Sequence, residues 1–288
     1  DQVLRMLDRV LTDLAKQGKA KLIVFKEFNA VACDGMKGLL SDGYQQAESP
    51  AAHMFRADFK DFGDYCAALN SHYRNDIRRS QRKFEQAGLV PIHLRDTKDI
   101  LRLYDDRLHH LYQAVVEKSA VRLEILPLSF FQELVKHFPR QVSFTAILKD
   151  NRVIAFNWGF HDQRMFYFLF CGMDYTEQTD NDLYFNLMFH QLDYALQCGP
   201  DWISFGQTAD FFKSRLGSHP QPLYFFVKGV GPTVSRLVKH FSHLLFPKRA
   251  PVLQRSIFRT KRDPPPGQAS KSKVVQARKS EQRVMEES

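Results

Sequence analysis

The opening stretch DQVLRMLDRVLTDLAKQ carries Val3, Leu4, Leu7, Leu11 and Leu14 at intervals of three and four residues, the spacing that gathers apolar side chains on one face of a helix. KLIVFKEF at 21–28 is a short apolar run and predicts a strand, followed by a loop and the segment HMFRADF. Over 65–86, Tyr73, Ile77 and Phe84 form an apolar stripe, while Arg74, Arg78 and Arg82 recur one turn apart and Arg79 and Lys83 widen the basic face. This predicts one linking helix whose charged side either faces water or docks a phosphate-bearing polyanion.

After Gly88 the pattern changes period repeatedly. A strand at 89–94 precedes helical stretches at 98–118 and 128–138, and then three strands follow closely at 141–149, 152–160 and 165–171. Asp150-Asn151 and His161-Asp162-Gln163 are turn sequences that make hairpins of them. A helix at 182–197, a short strand at 202–205, a helical segment at 210–216 and a last strand at 223–228 complete the order β-α-α-β-β-β-α-β-α-β. Such an order predicts an α/β (α+β) fold with a mixed, mostly antiparallel sheet flanked by helices.

Composition adds boundaries to this picture. A hydrophobic share of 44% and a charged share of 25% are those of a folded globular chain, and 25 Phe residues predict thick packing between sheet and helices. From Arg259 onward there is no aromatic residue, three prolines stand in succession and charges are dense, so this stretch predicts a disordered basic tail. The tail supplies part of the net charge of +9, and that part says nothing about a folded site. GVGPTVSRLVKHFSHLLFP at 229–247 predicts a basic amphipathic helix with Val234, Leu237, Phe241, Leu244 and Leu245 on its apolar side and Arg236, Lys239, Lys248 and Arg249 flanking it. That helix either packs on the domain or touches an anionic membrane surface.

The organisation expected is a remnant of a first domain at 1–64, a complete domain at 65–229, the basic extension at 230–258 and the tail at 259–288. The chain begins at Asp1 with a helix already under way, which is expected of a piece of a longer protein. Cys33, Cys66, Cys171 and Cys198 lie far apart with no CxxC or Cys/His spacing for tetrahedral zinc, so structural thiols and no metal are expected. No basic-then-apolar leader and no stretch long enough to span a bilayer is visible, which points to the cytoplasm, with peripheral contact at the inner face of the membrane as an addition. Basic residues without interleaved aromatics, and no zinc or helix-turn-helix module, argue against sequence-specific DNA binding.

The stretches LYFNLMFHQLDYAL at 183–196, WISFGQTADFFKSRLG at 202–217 and PLYFFVKG at 222–229, with the order of elements, resemble the acyl-CoA N-acyltransferase (GNAT) superfamily, in particular its FemAB-like and cellulose-biosynthesis subgroup. SHYRNDIRRSQRKFEQAG at 71–88 resembles the Arg-rich helix that opens the second domain there. The resemblance covers roughly 20–229 and implies tandem GNAT folds, a fourth strand splayed from the fifth, an acyl-CoA (acetyl-CoA) donor and an amine acceptor on a small molecule, sugar or cell-envelope precursor. One departure stands out. Where such enzymes carry a Gly-rich phosphate loop, this chain reads CGMDYTEQTDNDLYF, with no glycine after Gly172 and with Asp180 and Asp182 around the helix start. Carboxylates repel phosphate, so an aminoacyl-tRNA donor, or a non-catalytic module holding a polyanion or a membrane, are the alternatives. Asp180 or Asn181 is expected to cap the helix.

The reaction that this resemblance implies needs a base for the amine and an acid for the leaving group. His161, Asp174, Tyr175 and Glu177 are candidates near the splayed strands, and Tyr175 is taken as acid or positioning group. Cys171, between apolar neighbours, is expected to be an inert strand thiol. Asn186 lies on a helix face with His190, Asp193 and Gln197, which is either solvated or reaches donor or acceptor. In GQTADFFKSRLG, Gly206 permits unusual backbone, Gln207 and Thr208 offer hydrogen bonds, and Lys213 and Arg215 add positive charge at a strand end. The plainer reading has Thr208 as helix cap, Phe211 and Phe212 as packing and both cations in water. Tyr175, Asn186 and Gln207 are therefore the catalytic candidates, and Cys171, Gly172, Asn181, Leu183, Lys213 and Arg215 the candidates for holding the donor.

Overall fold

A computed structural model describes residues 2–119, 125–177, 181–246 and 255–260. The expectations for Asp180, Lys248, Arg249 and the tail beyond 260 lie outside these residues. The chain divides into two compact units, one made of 2–52 and 219–246, the other of 53–218 and 255–260, counting described residues.

In the first unit, α1 (Gln2–Gln17) packs through Leu4, Leu11 and Ala15 on β1 (Leu22–Phe28), α2 (Ala30–Met36) and α3 (Gly38–Ser41). The first part of β2 (Gln45–Arg56) and, later in sequence, β8 (His219–Gly229) and α11 (Pro232–Leu245) belong here too. β1 pairs antiparallel with β8, and Phe226 is buried among Ile23, Leu39 and Tyr44. Asp8 accepts hydrogen bonds from the Tyr44 hydroxyl and the Lys228 ammonium, each at 2.8 Å. The sequence pattern misses α2 and α3; α2 starts from Asn29, whose side chain accepts from the Ala32 N–H at 2.9 Å, and α3 from Lys37 without a side-chain cap. It also misses most of β2, where Pro50 and small polar residues read as loop.

In the second unit the strands are the end of β2, β3 (Val90–Leu94), β4 (Val142–Lys149), β5 (Arg152–His161), β6 (Met165–Met173) and β7 (Trp202–Ser204), ordered β2-β7-β6-β5-β4-β3. All neighbours are antiparallel except β6 and β7, which run parallel. The sheet is mixed and mostly antiparallel, as the element order predicts. Asp150 and Asn151 have φ of 49° and 60°, the two positive values a tight hairpin turn requires.

Two expected helices are each split. The 65–86 helix is α4 (Phe62–Ala68) and α5 (Ser71–Gln86), because Leu69 is extended and the Asn70 side chain accepts from the Tyr73 N–H at 3.2 Å. The 98–118 helix is α6 (Thr97–Leu103) and α7 (Asp106–Lys118), broken at extended Tyr104, with Asp105 accepting from the Leu108 N–H at 2.9 Å. Both breaks are capping events: a short polar side chain offers the first free N–H groups a partner and restarts the helix. On α5, Ile77 and Phe84 face the core while Arg78 and Arg82 are exposed.

Helices α7 and α8 (Leu128–His137) cover one face of this sheet through Tyr104, Phe131, Phe144, Phe156 and Trp158, with Trp158 lying 4.8 Å from both Tyr104 and Phe144 between ring centres. Helices α5 and α9 (Leu183–Gln197) cover the other, through Ile77 and Phe84 and through Leu187, Met188 and Leu192. Ile257 and Phe258 join the second face, and Arg259 donates its N–H to the Ala68 carbonyl at 3.1 Å. The four cysteines are free thiols. Among the described residues no helix is long and apolar enough to cross a membrane, and no three His, Cys, Asp or Glu side chains gather as a metal group.

Candidate active site

The parallel ladder between β6 and β7 is short. Met165, Phe166 and Tyr167 face Trp202, Ile203 and Ser204, after which β7 ends while β6 runs on to Met173. The space beyond the last pair is a cleft of 610 Å³. Its walls are Phe168, Leu169, Phe170, Cys171 and Met173 of β6, Tyr112, Val115 and Val116 of α7, and Tyr184 and Met188 of α9, with Phe205 to Ala209 and Lys213 closing the far side. No carboxylate lines it among the described residues.

The segment that carries Lys213 has an uncommon backbone. Gly206, Thr208 and Ala209 have φ of 71°, 64° and 52°, so three of four consecutive residues are left-handed. Helix α10 (Asp210–Arg215) starts from Ala209 with no side-chain cap, so Thr208 does not cap it, and Phe211 is exposed while Phe212 packs. Lys213 is 5% exposed, and its ammonium donates to the Gln207 carbonyl at 2.6 Å. Burial pulls this amine down to about 8, against the partial support of Cys171 and Asp210. Burial pushes the Cys171 thiol up to about 11, so it is protonated at neutral pH. Tyr175, in the 3₁₀ turn after β6, also borders the cleft, under the Lys118 ammonium at 3.5 Å from its ring centre, and burial raises its hydroxyl.

Of the residues singled out by sequence, Cys171, Tyr175, Gln207 and Lys213 therefore meet at one cleft. The others stand elsewhere. Gly172 faces the core, where a Cβ would lie 2.3 Å from the Phe156 ring and 2.8 Å from the Tyr112 backbone nitrogen. Asn181 stands just before Asp182, the residue from which α9 starts; it accepts from the Leu183 N–H at 3.1 Å and donates to the Glu177 carbonyl at 2.7 Å, and Leu183 is buried. Asn186 is 1% exposed and donates to Ser80 Oγ at 3.1 Å and to the Asp182 carbonyl at 3.1 Å, tying α9 to α5. Asn186→Ala should lower unfolding free energy by about 2 kcal/mol by leaving Ser80 unpaired, which thermal unfolding would read as a fall of roughly 4–8 °C.

Arg215, two residues beyond Lys213, points into a separate hollow of 240 Å³ and pairs with Asp76 at 2.8 Å. Asp174 and Glu177 face Arg152, and Glu177 also binds Lys149 at 2.8 Å; His161 stacks on Phe166. None of the three lines the cleft. Sequence reasoning missed the α7 wall, for which no local signal exists, and Asn157 of β5 at the cleft floor. It also missed His53, which a lone histidine in a strand does not advertise.

A short parallel pair opening into a cleft within a mostly antiparallel sheet is the architecture of an acyltransferase-type fold. Residues 71–214 match the Acetyltransferase (GNAT) domain model, and the chain belongs to that family. Among solved structures, FemX is similar over 83% of this chain and 79% of its own, with a TM-score of 0.52 and 12% identity. A Bacteroides thetaiotaomicron conserved protein of unknown function aligns over 79% and 76%, with a TM-score of 0.53 and 10% identity. The C-terminal DUF2156 domain of an Agrobacterium fabrum protein assigned as a lysylphosphatidylglycerol synthetase aligns over 80% and 75%, with a TM-score of 0.50 and 11% identity. These likenesses show the fold. No curated protein gives a significant match.

Proposed function

We propose that this chain is an N-acyltransferase that moves an acyl or aminoacyl group from acyl-CoA or aminoacyl-tRNA to an amine of a small molecule, sugar or cell-envelope precursor. The observation that supports it is the buried Lys213 amine at the mouth of the β6–β7 divergence, in a cleft that no carboxylate lines among the described residues. An amine nucleophile is protonated in water and must lose a proton as its nitrogen bonds to the donor carbonyl carbon. Neutral Lys213 accepts that proton. When the C–S or C–O bond of the donor breaks, the leaving group needs a proton, and the Tyr175 hydroxyl, kept protonated by burial, supplies it. Cys171 stays a thiol and forms no covalent intermediate. The tandem organisation and the cytoplasmic setting belong to the same reading.

A second reading, a binding module for an anionic membrane, is favoured by α11, where Leu237, Phe241, Leu244 and Leu245 are exposed alongside Arg236 and Lys239, with no acidic residue in the helix. Calorimetric titration with acetyl-CoA, a longer acyl-CoA, free CoA, an aminoacyl-tRNA and anionic vesicles separates the two. Saturable binding of a CoA species or of the aminoacyl-tRNA, without vesicle binding, is expected. Binding to vesicles alone would overturn the transferase.

A further inference from the structure

His53, on β2 within the second unit, is fully buried and holds the Lys213 segment at both ends. Its backbone pairs with the start of the segment: His53 N–H donates to the Gly206 carbonyl at 3.0 Å, and Phe205 N–H donates to the His53 carbonyl at 2.9 Å. Its ring reaches farther along. Nε2 lies 2.8 Å from Asp210 Oδ1 and Nδ1 lies 2.9 Å from Ser218 Oγ. The Ser218 hydroxyl is in turn 2.8 Å from the Lys213 carbonyl, so its one hydrogen serves either that oxygen or Nδ1.

The segment between these anchors has reason to need them. Gly206, Thr208, Ala209 and Gly217 all have positive φ, and α10 has six residues and no side-chain cap. A helix that short does not stand on its own. Its buried lysine adds a second strain, because an ammonium gains by turning out to water.

We propose that His53, Asp210 and Ser218 form a strut that positions Lys213 in the cleft and keeps its amine desolvated. The trio has the composition of a nucleophilic triad, but Ser218 is 1% exposed and engaged with the Lys213 carbonyl, so no substrate reaches it. Its effect is exerted through Lys213 and rests on the reading that the cleft uses that amine.

The test needs neither donor nor acceptor. The full chain is reductively methylated with ¹³C-formaldehyde, the Lys213 signal is assigned by its loss in Lys213→Arg, and its titration is followed by NMR. In the wild type it is expected to titrate near 8. In Ser218→Ala, which removes one oxygen, and in His53→Gln, which keeps a donor toward Asp210, the titration should move up by about one pH unit or more toward the ordinary lysine value. Ser218→Thr should restore it. Thermal unfolding confirms that each variant is folded; if His53→Gln is not, Ser218→Ala decides alone. An unchanged Lys213 titration in folded Ser218→Ala overturns the strut. Because no ligand takes part, absence of donor binding would sink the transferase reading and leave this result standing, and the reverse holds too.

Discussion

Lys213→Met is expected to lower kcat of acyl transfer by about 10²–10⁴-fold, the range for loss of a positioned general base, with donor binding retained. Methionine keeps the length of the side chain and removes the proton acceptor. The wild-type rate should rise about tenfold per pH unit up to about 8, where the amine becomes neutral, and level above it. A rate that falls between pH 7 and 9 would mean that the charged ammonium is the working form, and the base role would be lost. Stability follows the same group with a definite sign. The folded amine titrates at about 8 and the unfolded one at 10.5, so between those values the unfolded chain binds more protons and the contribution of Lys213 rises with pH. As pH falls through this window the contribution declines, and below 8 it is constant. Lys213→Met removes this slope, which denaturant titrations at pH 7.5 and 10 would show.

Gly172→Ala is expected to cost about 3 kcal/mol of stability, near the upper end for overpacking a core, and to lower Tm by roughly 6–12 °C. The added methyl would meet the Phe156 ring at 2.3 Å and the Tyr112 backbone nitrogen at 2.8 Å. The ring can turn, but the backbone of α7 cannot move without dragging the cleft wall formed by Tyr112 and Val115. Donor affinity measured well below Tm should change far less than stability does. A large loss of affinity with an unchanged Tm would instead make Gly172 a donor contact.

The legible parts of this chain are those written in local chemistry. The order of elements along 89–228 followed from apolar period, and Asp150-Asn151 announced its turn because few residue pairs accept positive φ twice. The breaks at Asn70 and Asp105 were equally local, and a reading that weighs capping residues inside an apolar stripe finds them. Lys213 was visible, together with Arg215, as positive charge at a strand end. What sequence could not separate was Lys213 from Arg215, because two residues along a short helix, about half a turn, aim the first at the cleft and the second at Asp76. Asn186 and Gly172 show the converse. Polar or small residues beside a site gain their meaning from a partner far away, Ser80 in one case and Tyr112 in the other, and no spacing along the chain encodes that.

The early end of β7 leaves one more property in β6. Past Tyr167 the strand stays paired with β5 but has no ladder partner on the cleft side among the described residues, so the main-chain groups on that edge are left without one. Amide groups belong to every residue alike and survive any substitution short of proline. Under the transferase reading proposed above, a donor with amides of its own would lie along that edge as an added strand does. Grip on such a donor would then be written in the skeleton of the chain, while the side chains around it would be left free to change what is gripped.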